Sequence, residues 1–118
     1  MNLMLFVIAA ALGGFIRFTL EYYFPPVGAS AFPRATWLVN VVGAFVLGIV
    51  LALPGDWQVI LGVGLSGALT TFSGVSLQLH RRLAAQAFKP AMIYAVTLLT
   101  GGIVAAGAGL ILGRYLFS

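Results

Sequence analysis

A pair of adjacent threonines, Thr70 and Thr71, lies in the middle of a long apolar stretch. The stretch from Trp57 to Leu79 contains no Asp, Glu, Lys or Arg and is long enough to cross a bilayer as a helix. β-Branched side chains are restricted at χ1 and threonine hydroxyls compete for backbone hydrogen bonds, so the run Gly67–Gly74 is a poor helix interior. The pattern predicts a break with non-helical backbone at membrane depth, where it coordinates an ion or lines a watery cavity. The alternative is a kinked helix whose threonines bond back to preceding carbonyls.

Two further polar side chains occur in a second apolar stretch. Asn40 lies near its middle, and Thr36 lies one turn earlier on the same helical face. An amide in lipid needs hydrogen-bond partners, so Asn40 either holds helices together or offers its N–H groups to a dehydrated anion.

Arg17 lies inside the first apolar stretch, about two turns before its aromatic end. A charge within the membrane is costly and normally faces a cavity or a partner. At a pore mouth it raises the local concentration of anions. The alternative is that Arg17 extends to the interface, helped by Glu21 four residues later.

An apolar stripe follows the predicted break. Phe72, Val75, Ser76 and Leu79 share one helical face, with Ser73 and Gln78 beside them. The stripe is typical of a packed core, but the edge of an aromatic ring is electropositive and can solvate a small anion.

The composition excludes most other classes of protein. Of the 118 residues, 62% are hydrophobic and 7% are charged, which indicates that the solvent of this chain is lipid. There is no cysteine and one histidine, His80, so thiolate chemistry, a catalytic triad and a multi-histidine metal site are excluded. The net charge of +4 is scattered beside the apolar stretches and favours topology signals and headgroup anchors over nucleic-acid binding. We therefore predict that the chain is not an enzyme.

Four membrane spans fit the sequence as a single transmembrane domain over residues 1–118. We predict them at about 3–24, 35–53, 57–79 and 91–112, with the third one broken. Pro25 and Pro26 end the first, the run Pro54–Asp56 closes the second, and His80 with Arg81 and Arg82 ends the third. In the fourth span, small residues recur every four positions, a pattern that lets helix backbones approach closely. They are Gly101, Ala105, Gly109 and Gly113.

Three stretches together resemble one known family, the Fluc (CrcB) fluoride channels. The run Ala9–Phe18 resembles the first-helix pattern GGxxGAxxRY, Thr36–Gly43 resembles G-T-L-x-x-N-x-x-G, and Gly64–Ser73 resembles GFxGGxTTFS. The resemblance covers the four spans in order and nearly the whole length.

The resemblance implies an antiparallel, dual-topology dimer with two fluoride pores in a cell membrane. The dimer would pair the chain with itself or with a homologous subunit. A structural Na⁺ would lie at its centre, held by the backbone carbonyls of Gly67 and Thr70. The resemblance implies four pore residues, Asn40, Phe72, Ser73 and Tyr94. The expected pore lining is completed by Thr36, Val75 and Arg17.

The chain departs from the family pattern at two positions. Val75 stands where the family usually has a second phenylalanine, and Gln78 where it often has an acid. The chain is therefore expected to be a passive fluoride exporter, with a subunit of a heterodimeric channel with an altered pore as one alternative. A small proton-coupled drug exporter is the other, but that mechanism needs a membrane-embedded carboxylate, and Glu21 near an interface is the candidate.

The cations are unevenly distributed about the predicted spans. Both termini share a side with Arg114, whereas the opposite side carries four cations: Arg34, Arg81, Arg82 and Lys89. The positive-inside rule then favours both termini outside the cell, which does not suit a chain that must insert in both directions. The alternative to dual topology is therefore one preferred orientation and a partner of the opposite one.

Overall fold

A computed structural model describes residues 2–24, 32–70 and 72–117, and the regular structure within these ranges is entirely helical. Helix α1 spans Leu3–Tyr23, α2 Arg34–Val50, α3 Gly67–Leu69, α4 Phe72–Ala84 and α5 Phe88–Phe117. A π-helical segment, Gln58–Ser66, precedes α3 directly. The all-α prediction is confirmed for the described ranges. Pro25, Pro26 and Thr71 lie outside them.

Three of these helical stretches are long and apolar enough to cross a membrane. They are Leu3–Tyr23, Gln58–Ala84 and Phe88–Phe117. Helix α2 is shorter, with 17 residues, which corresponds to a length of about 25 Å. The chain is thus built as a multi-pass membrane protein.

The predicted second span, 35–53, extends too far at its C-terminal end. Helix α2 ends at Val50, and the residues after it form turns before Pro54, which cannot extend a helix. The side-chain amide of Gln58 donates hydrogen bonds to the carbonyls of Leu51 and Leu53, at 3.2 and 2.9 Å. These bonds satisfy carbonyls of the turn that follows α2, whereas the carbonyls of Leu47, Ile49 and Val50 at the end of the helix accept backbone N–H groups of Leu51, Ala52 and Leu53.

The fourth helix begins earlier than predicted. The predicted span starts at residue 91, but Lys89 and Pro90 already lie in the first turn of α5, which begins at Phe88. Proline is tolerated there because the first turn of a helix needs no N–H donor.

The break in the third span is confirmed, and it falls at Thr70. This residue has an extended backbone, with φ −80° and ψ 157°, between α3 and α4. Its backbone N–H and its hydroxyl both donate to the carbonyl of Ser66, each at 2.9 Å. The kinked-helix alternative predicts a hydrogen bond from a threonine to a preceding carbonyl. That bond is present, but it lies where the helix is interrupted.

Close packing of α2 against α5 forms the framework of the fold. A Cβ atom placed on Gly109 would overlap the carbonyl oxygen of Phe45, and one on Gly48 would overlap that of Ala106. One on Gly113 would lie 2.6 Å from the carbonyl oxygen of Ile49. The small residues of the fourth span therefore serve helix packing, as their spacing predicts.

The first helix packs on the broken span in the same way. A Cβ atom on Gly13 would overlap the carbonyl oxygen of Leu65, and one on Gly64 would lie 3.2 Å from that of Phe6. Glycines on both sides thus bring α1 against the π-helical segment and α3.

Gly109→Leu should destabilise the protein, because the new side chain has to push α2 away from α5. Overpacking of this kind costs about 1–3 kcal/mol or more. We expect the detergent-solubilised variant to leave its size-exclusion peak at a lower temperature than the parent. Gly107→Leu on the same helix is the matched control, since nothing lies within 4 Å of a Cβ atom there. Equal loss in both variants would contradict the packing role.

Candidate functional site

A groove of about 560 Å³ runs along the protein beside the break. One wall comes from α2, the break and α4, through Asn40, Thr70, Phe72, Val75 and Leu79. The other wall is the apolar face of α5, and it includes Ala95, Leu98, Leu99, Gly102, Ile103 and Ala106. The groove therefore brings together residues singled out in the sequence from three different elements.

The apolar stripe after the break forms most of the first wall. Phe72 begins α4 directly beyond the break and is 84% exposed, so its ring stands clear of its own chain. Val75 and Leu79 continue the wall, as the predicted stripe requires. Ser73 and Ser76 are exposed on the same helix.

Asn40 lies between the groove and a second cavity. It is half-buried, and its Nδ2 donates a hydrogen bond to the carbonyl of Thr36 at 2.7 Å. The second cavity has a volume of about 230 Å³ and is also lined by Gly43, Ser66, Gly67 and Thr70.

A close contact of α2 with the break sets the position of this amide. A Cβ atom on Gly43 would overlap Cγ2 of Thr70, so only glycine allows the two elements to approach this far. Ser66, which the sequence reading did not single out, lies beneath this contact. Its hydroxyl is buried and makes no hydrogen bond to any described residue.

Gly67 and Thr70 are the residues expected to hold a metal ion. Gly67 is exposed, and both residues line the second cavity. The donors that they offer are backbone carbonyl oxygens, which suit a hard cation. Within the described residues no group of three or more His, Cys, Asp or Glu side chains could hold a metal.

A third cavity, of about 180 Å³, lies where α1 ends and α2 begins. Thr36, Glu21 and Gln78 are its polar lining residues. Thr36 is buried, and the cavity brings it to the same place as Gln78 of α4. The predicted polar face of α2 is therefore divided, because Thr36 lines this cavity and Asn40 lines the groove.

Tyr94 and Arg17 lie away from the groove. Tyr94 is fully buried, with its ring 5.8 Å from that of Phe32 in an edge-on contact. Its hydroxyl has no hydrogen-bond partner among the described residues. Arg17 is half-buried on α1, outside the three cavities.

Arg82 is not the interfacial cation that its place in the sequence suggests. Its side chain is 1% exposed, so it is not available to lipid headgroups. Nη1 donates to the backbone carbonyl of Gln78 at 2.9 Å and to Oε1 of the same residue at 2.7 Å. The guanidinium carbon lies 6.0 Å above the ring of Tyr94. Gln78 and Arg82 are four residues apart, a spacing that places them side by side on a helix. This spacing could have predicted their contact from the sequence.

Comparison with known proteins agrees with the three motifs. Residues 4–110 match the family model described as CrcB-like protein, Camphor Resistance (CrcB). The chain is 34% identical over 116 residues to fluoride-specific ion channel FluC 2 of a Bacillus cereus strain, covering 93% of this chain and 98% of that one. It is 37% identical over 112 residues to FluC 1 of Leifsonia xyli subsp. xyli, covering 90% and 82%. With FluC of a Caulobacter species it shares 32% identity over 125 residues, covering 99% and 98%.

The match extends from the second residue of α1 into the last turns of α5 and includes the break, the groove and the third cavity. The protein therefore belongs to the CrcB family.

Proposed function

We propose that this chain forms a fluoride-specific ion channel, acting as one transmembrane domain that lets F⁻ leave the cell across the plasma or inner membrane. The relatives named above are called fluoride-specific ion channels and match most of the chain. The observation that carries the proposal is the groove in which Asn40 and the break at Thr70 meet. The protein is a channel and not an enzyme.

Conduction requires that protein groups replace the hydration shell of the ion in a narrow path. In the proposed path Asn40 supplies amide N–H groups, and Phe72 supplies the electropositive edge of its ring. Hydroxyls of Ser73 and Thr36 are further proposed donors. Tyr94, expected from the sequence to line the pore, is fully buried away from the groove and is not a donor in this path. A larger ion such as chloride would not fit so narrow a coordination.

Three further residues shape this path. Val75 forms apolar wall without an aromatic edge, and Gln78 supplies a neutral amide. Arg17 is proposed to draw anions toward the mouth of the path. The alternative of a heterodimer subunit with an altered pore depends on Val75 and Gln78. Fluoride efflux from liposomes that contain this chain without a homologous partner tests it directly.

A dimer completes the site in this proposal. The ring of Phe72 is 84% exposed and the groove is open along one side, so a second subunit is needed to enclose a path. An antiparallel partner, either the same chain or a homologous one, brings two breaks together at the centre of the membrane.

Glu21 gives little support to a proton-coupled exporter. Such a mechanism needs a carboxylate embedded among the spans. Glu21 is exposed near the end of α1, and the relatives are named as channels. Proton-driven drug transport is therefore not proposed.

A structural Na⁺ at the dimer centre is the proposed cofactor. The break provides carbonyl oxygens of Gly67 and Thr70. Backbone polar groups at a break of this kind need partners within protein. The ion would be coordinated by the negative ends of the carbonyl dipoles that two facing breaks bring together, which would relieve the repulsion between them.

Asn40→Ala should lower fluoride efflux from liposomes about tenfold or more, because the ion loses a donor that replaces its water shell. Efflux is measured with a fluoride electrode on purified protein, at matched incorporation. Thr100→Ala, on an exposed position of α5, is the control and should behave as the parent. Equal efflux from Asn40→Ala and the parent would assign the amide to helix packing. Absence of efflux from the parent would contradict the channel itself.

The central Na⁺ predicts that the dimer is more stable in sodium salts than in N-methylglucamine salts. An ion that binds the assembled dimer alone stabilises it, and a hundredfold excess over the dissociation constant contributes about 2.7 kcal/mol. Dimer dissociation on heating, followed by size exclusion in each salt, measures this. An experimental structure should also show cation density between the carbonyls of Gly67 and Thr70 from two subunits. Equal stability together with no such density would refute the ion site.

Dual topology predicts that the C-terminus is found on both sides of the membrane. The chain has no cysteine, so Ser118→Cys gives a single labelling site. In cells that express this chain alone, we expect comparable labelling from each side. Arg34, Arg81 and Lys89 are exposed near one end of the helices, and Arg114 near the other. If this imbalance decides insertion, Ser118→Cys will be labelled from outside the cell only. The partner then has to be a related chain of the opposite orientation.

A further inference from the structure

The third cavity carries a negative charge that has no role in the function proposed so far. Glu21 lines this cavity together with Thr36 and Gln78. Among the described residues around the cavity, Glu21 is the one whose side chain is charged. A carboxylate repels anions, so Glu21 opposes the entry of fluoride that the other two polar residues favour.

The cations near Glu21 do not bind its carboxylate. Arg17 lies four residues earlier on α1, a spacing at which opposite charges can meet on a helix, but no ion pair joins the two residues in the described part of the chain. Arg34, at the start of α2, lies instead over the ring of Phe24, with its guanidinium carbon 5.8 Å from the ring centre. The carboxylate of Glu21 is exposed, so water and salt damp its field, but no bonded cation cancels its charge.

The two neutral polar residues of the cavity are hydrogen-bond donors. Thr36 carries a hydroxyl, and the side-chain amide of Gln78 carries two N–H groups. Oε1 of Gln78 accepts a hydrogen bond from Arg82 at 2.7 Å, so the N–H groups of the amide take no part in that bond. The carbonyl of Thr36 accepts the hydrogen bond of Asn40, which lines the groove. An anion that moves between the groove and this cavity would therefore meet neutral donors and one carboxylate.

We propose that Glu21 sets the affinity of this end of the fluoride path by weakening the binding of the anion in the third cavity. A channel conducts well where the ion binds strongly enough to enter and weakly enough to leave. The donors of Thr36 and Gln78 favour entry, and repulsion from the carboxylate of Glu21 favours release. This inference rests on the proposed fluoride channel and adds to it a residue that determines how fast the ion leaves.

Glu21 also has a simpler explanation, as a solvated charge at the end of α1 that does not affect conduction. The two explanations differ in how efflux depends on the charge at residue 21. Repulsion acts through charge, so its effect grows with each unit of charge that is removed. It also decreases with ionic strength, because the Debye length falls from about 30 Å at 0.01 M to about 3 Å at 1 M. Since Glu21 is exposed, its substitution is expected to leave the packing of the helices unchanged.

Fluoride efflux from liposomes, measured over a range of internal fluoride concentrations at constant low ionic strength, tests the proposal. For Glu21→Gln we expect the half-saturating concentration to fall about threefold, the effect of a unit charge about 6 Å from the ion in water. The maximal rate should fall as well, because the ion is held longer. Glu21→Lys changes the charge by two units and should lower the half-saturating concentration about ninefold, whereas Glu21→Asp should behave as the parent. At 1 M salt these differences should largely disappear.

Asp56→Asn is the matched control. It removes the same charge from the turn between α2 and the π-helical segment, at the other end of the helices, and asparagine keeps the size of the side chain. We expect this variant to have the half-saturating concentration of the parent. All variants are compared after size exclusion, so that folded protein alone is incorporated.

Each outcome decides between the explanations. If Glu21→Gln leaves the half-saturating concentration unchanged or raises it, Glu21 does not weaken fluoride binding. If Asp56→Asn lowers that concentration as much as Glu21→Gln, or if the differences persist at 1 M salt, the effect does not come from the charge of Glu21 and the proposal is overturned. If the parent conducts normally while the variants do not follow the order of their charges, this inference alone fails. If the parent does not conduct, the proposed function and this inference fail together.

Discussion

Lipid offers no hydrogen bond to a peptide group. The backbone N–H and C=O groups at the interruption of the third span, at Thr70, therefore need hydrogen-bond partners within the protein. The protein provides one locally by directing the N–H and the hydroxyl of Thr70 to one carbonyl, that of Ser66. It also buries the preceding backbone under α1, where Gly13 permits close approach. Gly67, at the start of α3, remains exposed. Each other feature of the site follows from where this interruption is placed.

Close contacts at glycines set how nearly the other helices approach the interruption. The π-helical segment Gln58–Ser66 contains Gly62 and Gly64, and wide helical turns of this kind are rare and frequently lie at functional sites. Gly43 lets α2 approach Thr70, so the amide of Asn40 reaches the groove beside the break. The contact of α2 with α5 is built in the same way, through Gly48 and Gly109. Because helices in lipid gain no hydrophobic energy from meeting, such close packing is what holds the framework together.

Electrostatics in this framework depends on very few groups. The chain carries six basic and two acidic residues, so each buried charge has a large effect on the local potential. Arg82 is withdrawn from the interface and held by Gln78, whereas Arg81, its neighbour, is exposed.

Local sequence was enough to predict the helices and the break, because the apolar lengths and the threonine pair act within a few residues of themselves. The stripe of Phe72, Val75 and Leu79 was also predictable, since helical periodicity alone places these residues on one face. The end of α2 was not, because the helix gives way to a turn at Leu51, three residues before Pro54, and Gln58 bonds the carbonyls of that turn from beyond it. Only the tertiary structure separated Thr36 from Asn40 into different cavities and buried Tyr94 under Phe32. It also decided that Arg82 lies inside the protein: a sequence shows that a cation follows an apolar run, but whether its side chain turns to lipid or to protein depends on the space that α4 and α5 leave between them.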